Sequence, residues 1–228
     1  MSEAAKPETV PVEIKHWLDG RVLYTAAVDV SIAPWFRIKA AVEIAVANRA
    51  SLVGASLVGA RLDGARLVGA SLVGASLDGA SLVGASLVGA RLVGASLVGA
   101  RLDGARLVGA SLVGASLDGA SLVGASLDGA RLDGARLDGA RLGTYTIKSC
   151  IARATRSDGY EFIAWDTDKG VIIKAGCQTK KGTDAYRKHV ATYTSRHNGV
   201  ALAAETLAIL DFFDARSAHV APAKVEAA

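Results

Sequence analysis

Only two cysteines, four prolines, one methionine and 5% aromatic residues occur among 228 residues. So few cysteines exclude a disulfide scaffold, and Cys150 and Cys177 read as reduced thiols. No uninterrupted apolar run reaches the roughly 18 residues that a bilayer-spanning helix requires, so no membrane partner is expected. The opening residues, MSEAAKPETVPVE, carry acids and prolines where a secretory leader would place a basic patch and an apolar stretch. A cytoplasmic location is therefore expected. Neither sign of charge predominates, with 26 Lys and Arg against 22 Asp and Glu. An apolar content of 51% excludes a disordered chain, and with 25 glycines and few aromatics it calls for a core built from small, repeated pieces.

Residues 50–143 use only Ala, Ser, Arg, Leu, Val, Asp and Gly, with Leu at every fifth position from Leu52 to Leu142 in the unit Ala-(Ser/Arg)-Leu-(Val/Asp)-Gly. This stretch holds eight Arg against seven Asp, so the net positive charge of the chain is no basic stripe along it. Five residues advance about 500° around an α-helix, so the leucines would spiral over its surface and form no apolar stripe. In a continuous flat strand the odd spacing sends alternate leucines to opposite faces. What satisfies every Leu is a chain that extends for about three residues and then turns a corner, a solenoid with Leu pointing to one axis. Ala lies two residues before Leu and faces the same way, Ser or Arg between them points outward, and Gly supplies the corner. Residues 61–80 recur letter for letter at 101–120, as recent duplication or consensus design would leave them.

The unit Ala50-Ser51-Leu52-Val53-Gly54 and its copies resemble the pentapeptide-repeat family, whose consensus is Ala-(Asp/Asn)-Leu-X-X. The resemblance implies an all-β solenoid, a right-handed quadrilateral β-helix with four pentapeptides to a coil. Here Ser or Arg stands before Leu where the family usually has Asp or Asn. The family also implies one activity, mimicry of duplex DNA in binding DNA gyrase, which needs an acidic rod.

The flanks read as β-hairpin and helical capping regions, because a solenoid end exposes unpaired strand edges and open core. The expected division is an N-terminal cap over 1–39, the pentapeptide β-helix over 40–152 and a C-terminal cap over 153–228. Val12–Trp17 and Arg21–Val28 surround Leu18-Asp19-Gly20 as a hairpin. Residues 38–50 keep the repeat phase through Val42 and Ala47 and read as the start of the first coil in preference to a helical plug. Ile147 and Ala152 extend the phase by two units, Tyr160–Trp165 and Gly170–Ala175 read as strands, and residues 183–195 and 200–215 read as helices with Thr183 as an N-cap. The flanks resemble phage and prophage pentapeptide proteins at Trp17-Leu18-Asp19-Gly20-Arg21-Val22-Leu23, Lys174-Ala175-Gly176-Cys177 and Glu205-Thr206-Leu207-Ala208-Ile209-Leu210.

Chemistry is sparse. The Gly-x-x-x-x-Gly spacing is a by-product of the repeat, since no copy is followed by Lys and then Ser or Thr. Asp63, Asp78, Asp103, Asp118, Asp128, Asp133 and Asp138 read as solvated outward carboxylates and not as metal ligands. Cys177 and His189 lack an orienting third group, and His16, His197 and His219 lack ligand spacing. Lys180, Lys181, Arg187, Lys188 and Arg196 read as a solvated helix face, so no nucleic-acid partner is expected. No catalytic residue, cofactor or metal is assigned. Residues 20 apart stack on one face, which places Val53, Val73, Val93 and Val113 in one ladder and Val68, Val88 and Val108 in another on the adjoining face. Two neighbouring apolar ladders form the candidate interface. The resulting expectation is a non-enzymatic, phage-associated scaffold whose faces or caps contact a protein partner or, as a symmetric homodimer, a second copy. Gyrase-binding DNA mimicry is the alternative, disfavoured by the balanced charge of the shaft.

Overall fold

A computed structural model describes residues 7–127, 129–155, 161–168, 172–175, 178–181 and Leu210. It falls into two compact units, Met1–Thr144 and Tyr145–Ala228.

In the first unit β1 (Thr9–Lys15) and β2 (Val22–Asp29) pair antiparallel, with Val12 opposite Ala26 and Ile14 opposite Tyr24. Ile14, Ala26 and Val28 are buried. A 3-10 turn at Pro34–Phe36 leads into α1, Arg37–Ala47, whose buried residues Ala41, Val42 and Ala45 recur at helical spacing. The in-phase coil expected over residues 38–50 is thus an α-helix. The phase of Val42, Ala47 and Leu52 is a coincidence of spacing, because residues 37–47 contain no glycine to make the corners and are rich in Ala, a strong helix former. The helix ends in paired bonds from the Arg49 N–H to Val46 O and from the Ala50 N–H to Ala45 O, with Arg49 at φ +56°. This is the Schellman closure, with Arg in the position that glycine commonly fills.

Between the first coil and the last, the repeats share one pattern of bonds. The Leu N–H donates to a carbonyl one coil ahead, as from Leu92 to Ser111 O at 2.7 Å, and the Gly N–H does likewise, as from Gly94 to Val113 O at 2.8 Å. The Ser or Arg N–H donates one coil back, as from Ser96 to Ala75 O at 2.9 Å, and the Ala N–H closes the corner onto its own Leu, as from Ala95 to Leu92 O at 3.0 Å. At that corner Gly94 has φ +64°, which a Cβ would disfavour. Parallel bridges join residues 20 apart from Ser56 with Ser76 to Ser121 with Arg141, so four pentapeptides make one coil. Leu and Ala from Leu52 to Leu122 are buried at every repeat, as the inward assignment requires. The last repeat contains the two-residue strand β3, Arg141–Leu142.

The first coil is bonded to the elements before it. The Ser56 N–H donates to Lys15 O, the Trp17 N–H donates to Gly54 O, and His16 bridges Ala55. From α1, the Lys39 ammonium donates to Asp63 O at 2.6 Å and Glu43 accepts the Arg66 N–H at 2.8 Å.

In the second unit β4 (Tyr145–Thr155), β5 (Glu161–Thr167), β6 (Ile172–Ala175) and β7 (Gln178–Lys181) pair antiparallel in chain order. The two further pentapeptides expected at Ile147 and Ala152 are therefore one long strand. No glycine follows Gly143 until Gly159, so the chain has no corner residue, and β-branched Thr146, Ile147 and Ile151 suit extension. Phe162, Ala164, Trp165 and Thr167 of β5 are buried with Ile172 and Ile173 of β6. Thr183 and the helices expected over 183–195 and 200–215 lie outside the described residues, apart from Leu210, which is helical and buried.

Candidate interaction surface

Each coil presents four faces, and the outward side chains of a face repeat every 20 residues. Face 1 carries residues 51–53, 71–73, 91–93, 111–113 and 131–133; face 2 begins at 56–58, face 3 at 61–63 and face 4 at 66–68. The Val ladders accordingly fall on face 1 (Val53, Val73, Val93, Val113) and face 4 (Val68, Val88, Val108), which meet at one corner. Their ends are open, with Val53 42% and Val68 56% exposed, whereas Val73, Val88, Val93, Val108 and Val113 are half-buried between stacked neighbours. Val58 and Val98 on face 2 are also exposed, interrupted by Asp78.

The carboxylates on faces 2 and 3 are structural. Asp63 Oδ1 accepts the Ser81 hydroxyl and the Val83 N–H, Asp78 Oδ1 accepts the Ser96 hydroxyl and the Val98 N–H, and Asp103 Oδ1 accepts the Ser121 hydroxyl and the Val123 N–H. Asp118 takes the Asp138 N–H at 3.1 Å and pairs with the Arg136 guanidinium at 2.6 Å. The reading of Asp63, Asp78, Asp103 and Asp118 as merely solvated charges is corrected: each ties its coil to the next. The physical reason lies in the backbone. The four bonds described above leave the N–H of the residue after Leu without a backbone acceptor, and an Asp 20 residues earlier reaches it. The signal was in the sequence as Asp at one position and Ser 18 residues on, three times over.

Faces 4 and 1 lack that device. Among the described residues the N–H groups of Val73, Val88, Val93, Val108 and Val113 meet no protein acceptor. From Arg66 to Val113 these two faces carry Arg66, Arg91 and Arg106, all exposed, and no Asp or Glu. Between Ser56 and Val123 the opposite pair carries Arg61 and Arg101 with Asp63, Asp78, Asp103 and Asp118. Within these spans the first pair of faces is net positive and the second net negative.

Elsewhere Trp17, Leu18, Val22, Trp35 and Phe36 are exposed on the N-terminal elements. His16, stacked beside Trp17 at 6.3 Å, lies 3.1 Å from Asp19 through Nδ1. Asp19 is held below its ordinary pKa chiefly by the Arg21 N–H, helped by the charges of His16 and Arg21. Among the described residues no three of His, Cys, Asp and Glu gather to hold a metal ion, and no helix is long and apolar enough to cross a membrane. Asp128, Cys177, Arg187, Lys188, His189, Arg196, His197 and His219 lie outside the described residues, while Lys180 and Lys181 belong to β7 and not to a helix.

A 20-residue coil of four pentapeptides, with Leu and Ala inside, defines the class of fold. The family description "Pentapeptide repeats" matches in eight copies, over residues 48–82, 70–107 and 105–143. The chain belongs to the pentapeptide-repeat family. Among solved structures it is 37% identical to the pentapeptide repeat protein Rfr23 of the cyanobacterium Cyanothece, covering 40% of this chain and 63% of that one with a TM-score of 0.40. A pentapeptide repeat protein of the Arabidopsis thaliana thylakoid lumen is 33% identical over 40% of this chain and 63% of its own, with a TM-score of 0.39. One from Nostoc is 33% identical over 44% of this chain and 74% of its own, with a TM-score of 0.20. The chain thus spans under two thirds of the first two relatives. No curated protein matches.

Proposed function

We propose that the protein is a non-enzymatic scaffold whose β-helix presents the Val ladders of faces 1 and 4 to a protein, either a second copy or a different chain. The observation that carries this reading is the corner where Val53, Val73, Val93 and Val113 meet Val68, Val88 and Val108: apolar side chains aligned outward on two adjoining faces of a coil whose own core is already filled by Leu and Ala. We read the coil as right-handed, as its family implies, with β1, β2 and α1 capping its first turn. A phage association rests on the flank residues Trp17–Leu23, Lys174–Cys177 and Glu205–Leu210. A cytoplasmic setting fits the opening residues. DNA mimicry toward gyrase is disfavoured, since faces 4 and 1 carry Arg66, Arg91 and Arg106 and no carboxylate from Arg66 to Val113.

Light scattering on the full chain and on the pair Val88→Asp, Val93→Asp tests the ladders. Asp already occupies the equivalent outward position at Asp78 and Asp103, so the fold is expected to survive. A mass that falls in the variant, with the melting midpoint unchanged, supports self-contact through this corner. A chain that is monomeric at high concentration before mutation removes self-contact and leaves a heterologous partner.

A further inference from the structure

Resting on the reading of faces 4 and 1 as a contact surface, we infer that their partner is an acidic protein segment whose carboxylates accept the open backbone N–H groups beside the Val ladders. On faces 2 and 3 the coil shows what such an N–H takes where an Asp stands 20 residues earlier; the N–H groups of Asp78, Asp103 and Asp118, which have Val in that place, meet no acceptor among the described residues. Asp63, Asp78 and Asp103 each lay one carboxylate oxygen 3.0–3.2 Å from the N–H of Val83, Val98 and Val123. The same backbone position on faces 4 and 1, at Val73, Val88, Val93, Val108 and Val113, has no acceptor among the described residues. These donors stack one per coil, about 4.8 Å apart. Around them stand Arg66, Arg91 and Arg106. Glu43 of α1 accepts the Arg66 N–H at one edge, and Asp128 and Asp133 come one coil beyond Val108 and Val113. The surface between those limits offers hydrogen-bond donors, positive charge and apolar ladders together.

That combination selects among occupants. A second copy docked by a two-fold axis through this corner would set Arg against Arg with no carboxylate between Arg66 and Val113 to answer them. A nucleic-acid backbone would answer the arginines but make no use of two Val ladders, and the shaft has no aromatic residue on which a base could stack. A peptide with alternating acidic and apolar side chains satisfies all three features.

The test uses the full chain with a short fluorescent peptide of alternating Glu and Leu, a matching Lys and Leu peptide, and a short DNA duplex. Arg66→Ser, Arg91→Ser and Arg106→Ser are combined in one variant, and Arg61→Ser and Arg101→Ser in another. Ser occupies the same ladder positions at Ser71, Ser81 and Ser86, so both variants are expected to keep the melting midpoint. The Glu and Leu peptide is expected to bind, to weaken about tenfold in the triple variant and to stay within about twofold in the double variant. No binding, equal binding of the Lys and Leu peptide, equal loss in both variants, or tighter binding of the duplex overturns the inference. Val88→Asp with Val93→Asp separates it from the parent reading. If that pair abolishes self-association while the acidic peptide fails to bind the unmutated chain, the ladders are a contact surface and the acidic partner is refuted.

Discussion

Truncating Leu97 to Ala should cost far more than its position in one short repeat suggests. Leu97 is fully buried, and the 20-residue register stacks it between Leu77 and Leu117. Removing three carbons forfeits about 2 kcal/mol of transfer energy. The void adds a comparable amount if the surroundings cannot close on it. Here they are held on both sides: the Leu97 N–H donates to Ser116 O at 2.7 Å, the Ser96 N–H to Ala75 O at 2.9 Å, and the Leu77 N–H to Ser96 O at 2.7 Å. Coil spacing is thus fixed by hydrogen bonds, and the expected loss is about 4 kcal/mol, in the upper part of the range for buried leucines. Ser96→Ala, one residue away and outward, loses its hydroxyl bond to Asp78 and should cost about 1 kcal/mol. Urea unfolding followed by far-ultraviolet circular dichroism compares the two. Equal losses would refute the inward and outward assignment, and a small loss for Leu97→Ala would show that the coils can slide together along the axis.

Hydrogen exchange should distinguish the donors directly: the Val98 amide, held by Asp78, exchanges more slowly than the Val93 amide, and Asp78→Ala removes the difference. Gly94→Ala should cost about 1–2 kcal/mol through its positive φ alone, since nothing lies within 4 Å of the added Cβ, as urea midpoints will show. Gly54→Ala should cost more, because its Cβ would lie 2.2 Å from the His16 ring, and adding His16→Ala should recover the excess. Asp29 is held below its ordinary pKa by the Ser31 hydroxyl and N–H, so its contribution to the hairpin is complete above the ordinary Asp value and is lost as pH falls through the lower folded value. A carboxyl titration by nuclear magnetic resonance that shows no downward displacement refutes this.

The coil was legible because one spacing answers one geometric question. Leu at every fifth position fits neither helix nor flat strand, and the burial of Leu52 through Leu122 follows. The stretch before it misled because Val42 and Ala47 keep that spacing, while the missing glycines of residues 37–47 carried the stronger information. The same absence after Gly143 was the sign that β4 would run straight. At the surface, composition alone concealed the site. Counting eight Arg against seven Asp between residues 50 and 143 describes a neutral rod, and only folding the sequence every 20 residues shows that the Arg divide four and four while five of the seven Asp fall on faces 2 and 3.

The duplicated block gains a physical meaning from that folding. Residues 61–80 and 101–120 are two coils apart, so equivalent side chains never stack directly. On face 3 the sequence of outward residues before Leu is Arg61, Ser81, Arg101, Ser121, and after Leu it is Asp63, Val83, Asp103, Val123. A 20-residue repeat of the same composition would place identical charges about 4.8 Å apart, where they repel. Alternation doubles that distance and, in the same stroke, sets a Ser hydroxyl and an open N–H over each carboxylate, as Ser81 and Val83 stand over Asp63. Face 4 keeps the alternation of charge, with Arg66, Ser86 and Arg106, but holds Val at every coil after Leu from Val68 to Val108. The carboxylate is the component left out there. Face 4 thus keeps the donors and the arginines without an internal carboxylate, and the acidic partner inferred above would supply it.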